Sequence, residues 1–134
     1  MVERRSVKCL VVDDDHDGAD IVGEFLKLLG ADVRVVYSGQ EALDVAPNFT
    51  PRMVVLDINM PNIDGFETCR RLRRQPWSGE AVFIAHTGMP SPRADSVAAG
   101  FDVVVSMGDP AEVFETILNR LAAQEPTGDK GSAS

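Results

Sequence analysis

The feature that most constrains this chain is the repeated switch in the spacing of its apolar residues. Short unbroken apolar runs, such as Cys9-Leu10-Val11-Val12 and Met53-Val54-Val55-Leu56, alternate with stretches where apolar residues recur every three or four positions. The first pattern suits a strand covered on both faces, and the second a helix with one buried stripe. Ile21, Val22, Phe25, Leu26, Leu28 and Leu29 mark a first helix, which Gly30 closes. Residues 33–37 form a second strand. Ser38-Gly39-Gln40-Glu41 then reads as a capping box opening a helix through about Ala46, with turn chemistry from Pro47 to Pro51. After the third strand, a loop over 57–64 leads to a third helix from about Phe66. That helix turns Cys69 and Leu72 inward and Arg70, Arg71, Arg73 and Arg74 at least partly outward, and Pro76 ends it. Residues 81–85 are a fourth strand. Ser91-Pro92 open a fourth helix that closes at Gly100, and 103–105 are a fifth strand. Asp109-Pro110-Ala111-Glu112 start a last helix with Val113, Phe114, Ile117, Leu118 and Leu121 on its inner face.

Five strands alternating with five helices predict right-handed crossovers and an α/β, doubly wound, flavodoxin-like parallel sheet in the order 2-1-3-4-5. With 134 residues, the chain has one domain's worth of length. We place that domain at 1–124 and a polar tail at 125–134. A net charge of −8 disfavours direct contact with a polyphosphate backbone, so no nucleic-acid partner is expected. No apolar run is long enough for a membrane span, and residues 1–8 have no apolar core of a secretory leader. Cys9 and Cys69 sit in apolar surroundings and are expected to be buried, reduced thiols of a cytoplasmic protein.

In such a sheet the chemistry lies at the carboxyl ends of the strands, beside the switch in strand order. Those ends carry Asp13-Asp14-Asp15, Asp57, His86-Thr87 and Ser106-Met107. With strands one and three adjacent, Asp13, Asp14 and Asp57 share one crevice, where carboxylates are costly unless a cation or protons neutralise them. Oxygen-only ligands suit Mg²⁺, and a carboxylate beside it can act as a nucleophile toward phosphorus. Thr87 offers a hydroxyl from the next strand. Asp15 or Asp17 is expected to cap the first helix.

The segments Lys8 to Asp15, Val55-Leu56-Asp57-Ile58-Asn59-Met60-Pro61-Asn62-Ile63-Asp64-Gly65-Phe66 and Ala98-Ala99-Gly100-Phe101-Asp102 resemble the receiver domain of bacterial two-component response regulators. The resemblance runs from about Val7 to Ala122. It implies a domain that takes a phosphoryl group from a histidine kinase or phosphotransfer protein and switches conformation toward a downstream protein target, without being a dedicated enzyme. It assigns the phosphoacceptor to Asp57 and the switch hydroxyl to Thr87. It assigns Mg²⁺ to Asp13, Asp14, Asp57 and the backbone carbonyl of Asn59.

Three positions depart from that pattern. Met107 stands where the resemblance implies a lysine, Gly108 where it implies a proline, and Val104 where it implies an aromatic. A thioether cannot supply the positive charge of an ammonium, so weakened phosphoryl transfer is expected unless another cation, such as Arg93, reaches the site. The alternative reading is a receiver-like protein-interaction module that works without phosphorylation. A phosphatase using Asp13 as nucleophile leaves the Asp57 segment unexplained. His16 and His86 are expected to be structural or solvated, because their spacing matches no metal signature. The arginine cluster reads as a solvated helix face, and Trp77 as a partly packed connection.

Overall fold

The computed structural model describes residues 7–87 and 98–106, together with Glu115 and Asn119. In chain order the elements are β1 (Lys8–Val12), α1 (His16–Leu28), β2 (Asp32–Val36), α2 (Gly39–Phe49), β3 (Met53–Asp57), α3 (Gly65–Arg73), a 3-10 turn (Pro76–Glu80), β4 (Val82–Thr87) and β5 (Val103–Ser106). The strands form one five-stranded sheet in the order β2-β1-β3-β4-β5, and every pairing is parallel. Ala98 and Ala99 are helical within the expected fourth helix, and Glu115 and Asn119 within the fifth. The rest of those two helices, the polar tail, Arg93 and Met107 lie outside the described residues.

Strand periodicity divides the core between the two faces of the sheet. Cys9, Val11, Met53, Val55, Ile84 and Val105 point to one face, where Ala19, Val22 and Leu26 of α1 cover them. Leu10, Val12, Val54, Leu56, Phe83 and Ala85 point to the other, against Ala42 and Ala46 of α2 and Cys69 and Leu72 of α3. Leu10, Leu26, Leu72 and Phe83 are fully buried, and each contributes about 1.5–3 kcal/mol by leaving water. Cys9 and Cys69 are buried and unpaired, as expected, and burial pushes both thiols up to about 12.

The capping box at α2 forms with one shift of register. The Ser38 hydroxyl accepts from the Glu41 N–H at 3.1 Å, but the Glu41 carboxylate accepts from the Tyr37 N–H at 2.7 Å, one residue before the cap. The helix also runs past Pro47, where a turn was expected. Proline removes one helical donor, yet continuing to Phe49 buries that ring beneath Lys8 and Arg34, with cations 5.9 and 5.3 Å from its centroid. Thr50 in the left-handed region then ends the helix, its N–H on the Ala46 carbonyl at 2.7 Å. Asp15 stands at the N-cap of α1 but makes no side-chain cap hydrogen bond.

The arginines of α3 do not all face solvent. Arg73 turns inward and donates to the carbonyls of Gly100, Ser78 and Ala81 and to Asp102, with its guanidinium 4.0 Å over the Phe83 ring. Arg70 and Arg71 follow the expected pattern and pair with Glu67 on the helix surface. Pro76 opens the 3-10 turn instead of stopping α3, which has already ended at Arg73. Trp77, half-buried, stacks on Phe83 as a partly packed connection.

Candidate functional site: a carboxylate crevice at the ends of β1 and β3

The crossover between β1 and β3 brings their carboxyl ends side by side, with Val12 in register with Leu56. The next residues are Asp13 and Asp57, only 4% and 8% exposed. Asp14 follows and is exposed. Ligand atoms of Asp13, Asp14 and Asp57 all lie within 4.8 Å of one another. This is the trio that the spacing of the sequence brought together.

Local backbone geometry fixes two of the three. The Asp13 N–H donates to the Val36 carbonyl at 3.2 Å, extending the β1–β2 ladder by one bond, and its Oδ1 accepts from the Asp15 N–H at 3.0 Å. Asp57 Oδ1 accepts from the Asn59 N–H at 3.3 Å. The loop after Asp57 is anchored by the buried side chains of Ile58 and Met60 and closed by the Gly65 N–H on the Ile58 carbonyl at 2.8 Å. Gly65 is required there by space, because a Cβ would run into the Asp57 carbonyl oxygen and the Ile58 Cα. Asp64 caps α3 by accepting from the Glu67 N–H at 2.9 Å, which sets the start of the helix against the acceptor loop.

The crevice holds more acidic than basic charge, with His86 the one basic group that favours the ionised form of Asp13 among the described residues. Burial, then the Asp13 carboxylate, pushes the Asp57 carboxyl up to about 7, against the weaker opposing pull of the Asn59 N–H. Burial also raises Asp13, although the Asp15 N–H and a hydrogen bond donated by the protonated Asp57 carboxyl favour its ionised form. Among the described residues no lysine or arginine forms an ion pair with the trio. An all-oxygen donor set that repels itself at neutral pH fits a small hard divalent cation better than a soft one.

The other predicted site residues are placed by the backbone. Thr87 ends β4 in register with Ser106; its side chain lies outside the described residues. Asn59 lies in the loop two residues after Asp57, where its carbonyl belongs to the segment framing the crevice. Val104 is half-buried and packs with the residues facing α2 and α3. His16 is not in the crevice; it stacks on Tyr37 with ring centroids 3.8 Å apart. His86, expected to be structural or solvated, stands in register with Asp57 on β4 and is half-buried.

A doubly wound parallel sheet with an acidic crevice at its switch point belongs to the α/β class whose ligand sites lie outside the carboxyl ends of the strands. The particular family follows from comparison. The sequence pattern of the response regulator receiver domain matches residues 9–117, and the chain belongs to that family. Response regulator Rre1 of Synechocystis sp. is 32% identical over 132 residues, covering 96% of this chain and 57% of the relative. Response regulator MprA of Mycobacterium sp. (strain KMS) is 45% identical over 96 residues, covering 72% of this chain and 42% of the relative. The chain thus spans about half the length of these curated relatives. Among solved structures, chemotaxis protein CheY4 of Vibrio cholerae superposes with a TM-score of 0.80 at 26% identity, covering 87% of this chain and 98% of that one. No helix among the described residues is long and apolar enough to cross a membrane.

Proposed function

We propose that this receiver domain takes a phosphoryl group on Asp57 in a Mg²⁺-dependent reaction and passes the change to a protein target. The observation that carries the reading is the buried Asp57 carboxyl, crowded by Asp13 and Asp14 and unable to ionise comfortably without added positive charge. Asp13, Asp14, Asp57 and the carbonyl of Asn59 are the groups that would hold the ion. Mg²⁺ bound there supplies the positive charge that keeps Asp57 ionised and offsets the charge on an incoming phosphoryl group.

The chain's own residues do the rest. One Asp57 oxygen attacks phosphorus while the other stays on the Asn59 N–H, so the carboxylate is oriented before the donor arrives. With phosphohistidine as donor, the P–N bond breaks as the O–P bond forms, and the electron pair remains on the imidazole nitrogen, which takes up a proton. Thr87 supplies the hydroxyl for a phosphoryl oxygen. The donor is a histidine kinase or a histidine phosphotransfer protein, and the receiver is a substrate and switch, not a dedicated enzyme. Residues 1–124 form the receiver and 125–134 a polar tail, in a cytoplasmic setting. Met107, with no ammonium to offer, slows the chemistry without removing it.

Incubation with acetyl phosphate, followed by intact mass, tests the reading. We expect one phosphoryl group per chain with Mg²⁺ and none with chelator. The Asp57→Ala variant should take up none, and Asp13→Ala should label at least tenfold more slowly, the scale of one lost electrostatic contact to a transferring group. Labelling of Asp57→Ala at the parent rate would remove the proposal.

A further inference from the structure

One row of side chains crosses the carboxyl edge of the sheet. β1, β3 and β4 are consecutive neighbours, with Val12 opposite Leu56 and Asp57 opposite His86. Side chains alternate between faces every residue, and partners in register share a face. Val11, Val55 and Ile84 all point toward α1. Two residues further on, Asp13, Asp57 and His86 therefore point the same way. Asp57 has a carboxylate on one flank and an imidazole on the other.

The two flanks are chemically opposite. On the β1 side Asp13 and Asp14 complete an all-carboxylate trio with Asp57, and His86 is not part of that set. On the β4 side the half-buried imidazole is close enough for its charge to act on Asp13. Among the described residues no group hydrogen-bonds the His86 ring. A neutral imidazole keeps one N–H and an imidazolium has two, so a donor is present in either state. A bare Asp57 carboxylate already has the Asn59 N–H on one oxygen. A phosphoryl group added to the other oxygen brings further charged acceptors, and those on the β4 side meet the row at His86.

Resting on the reading of Asp57 as phosphoacceptor, we infer that His86 is a catalytic donor of this receiver: its ring N–H takes a phosphoryl oxygen on the flank of Asp57 away from Asp13 and Asp14. The trio handles the cation side of the transferring group, and the imidazole handles the opposite side. In the transfer the Asp57 O–P bond forms as the P–O bond of an acyl phosphate breaks, acetate leaves with the bonding pair, and His86 transfers no proton. Its contribution is a hydrogen bond that strengthens as charge gathers on the oxygen it faces.

The test uses the full chain with Mg²⁺, acetyl phosphate as donor and beryllofluoride as a phosphoryl mimic. His86→Leu removes the donor while keeping an apolar body at the end of β4. His86→Asn and His86→Gln each restore one side-chain N–H, at the reach of one or the other ring nitrogen. We expect His86→Leu to label about a hundredfold more slowly, at the low end of the roughly 10²–10³-fold cost of removing one donor to an oxyanion, and to bind beryllofluoride correspondingly more weakly. Its Mg²⁺ affinity and thermal midpoint should stay near the parent values. At least one amide variant should recover most of the labelling rate.

Each other outcome overturns the inference in an identifiable way. Parent-like labelling and beryllofluoride binding by His86→Leu would mean that the imidazole takes no part. Failure of both amides to recover rate, with fold and Mg²⁺ binding intact, would remove the donor role. Equal loss of rate and thermal midpoint in all three variants would make His86 a packing residue. A parent protein that takes up no phosphoryl group on Asp57 would instead sink the reading of the site itself, and this inference with it.

Discussion

Two corners of this molecule gather charge, and they treat it in opposite ways. At the end of α3, Arg73 meets an acceptor with nearly every donor: the Gly100, Ser78 and Ala81 carbonyls, the Asp102 carboxylate and the face of Phe83. Asp102 in turn accepts from the Phe83 N–H at 2.8 Å, so the charge pair is tied into the backbone of β4. At the ends of β1 and β3, three carboxylates converge without a cation from any described residue. The first corner is complete within the chain and stabilises it. The second is incomplete within the chain, and that incompleteness is what a ligand can exploit. Crowded carboxylates whose ionisation is shifted by burial and by one another mark a place where an added cation or proton lowers the energy of the fold.

The sharpest way to break the comparison is to remove the complete corner. Arg73→Ala takes away hydrogen bonds that join α3, the 3-10 turn, the start of β4 and the turn before β5. A hydrogen bond to a charged group contributes about 1.5–3 kcal/mol, and several of these share one half-exposed ion pair. We expect a net loss of about 2–4 kcal/mol in urea unfolding, with Mg²⁺ affinity unchanged. Arg73→Lys should recover little of it, because an ammonium cannot span the Gly100 carbonyl and Asp102 together. A loss under about 1 kcal/mol would show that the corner is decorative.

The incomplete corner predicts a pH dependence of the opposite kind. Asp57 titrates near 7 in the folded protein and at about 3.9 in an unfolded chain. The folded state therefore holds this proton more tightly. Its contribution to stability is greatest below the unfolded value and is lost as pH rises toward 7. Metal-free protein should be more stable at pH 5 than at pH 8, by an amount on the order of 1–3 kcal/mol. Saturating Mg²⁺ should stabilise chiefly at the higher pH and flatten the profile. Asp57→Asn should flatten it without metal. A metal-free profile that rises with pH across this window would contradict the crowding of the crevice.

These two corners were not equally legible in the sequence. The crevice was, because strand ends can be counted: the apolar runs of β1, β3 and β4 stop at Asp13, Asp57 and His86, and a strand order of 2-1-3-4-5 puts Asp13 beside Asp57. The Arg73 corner was not. In a run of four arginines nothing local distinguishes the one that turns inward; its acceptors at Gly100 and Asp102 come from a distant turn that tertiary structure alone brings near. His86 was hidden for a different reason. As a lone histidine it looks like packing, and only its register with Asp57 gives it a neighbour worth facing. The end of α2 escaped because Pro47 is a strong local stop signal, overruled by burial of Phe49 two residues later.

The smallest effect separates stability from site chemistry most cleanly. Ser38 caps α2 through the Glu41 N–H, while Glu41 holds the Tyr37 N–H and the Tyr37 hydroxyl donates to Asp20 at 2.6 Å. This network ties β2 to α1 and α2 but touches no member of the carboxylate trio. Ser38→Ala should cost about 1 kcal/mol, the ordinary loss for an N-cap hydroxyl. Its rate of labelling by acetyl phosphate and its Mg²⁺ affinity should match the parent within experimental error. A slowed rate in Ser38→Ala would mean that capping of α2 reaches the crevice through Tyr37 and α1. Charge at the β1–β3 edge would then be tuned from outside the row of Asp13, Asp57 and His86, and the division between a structural corner and a chemical one would have to be redrawn.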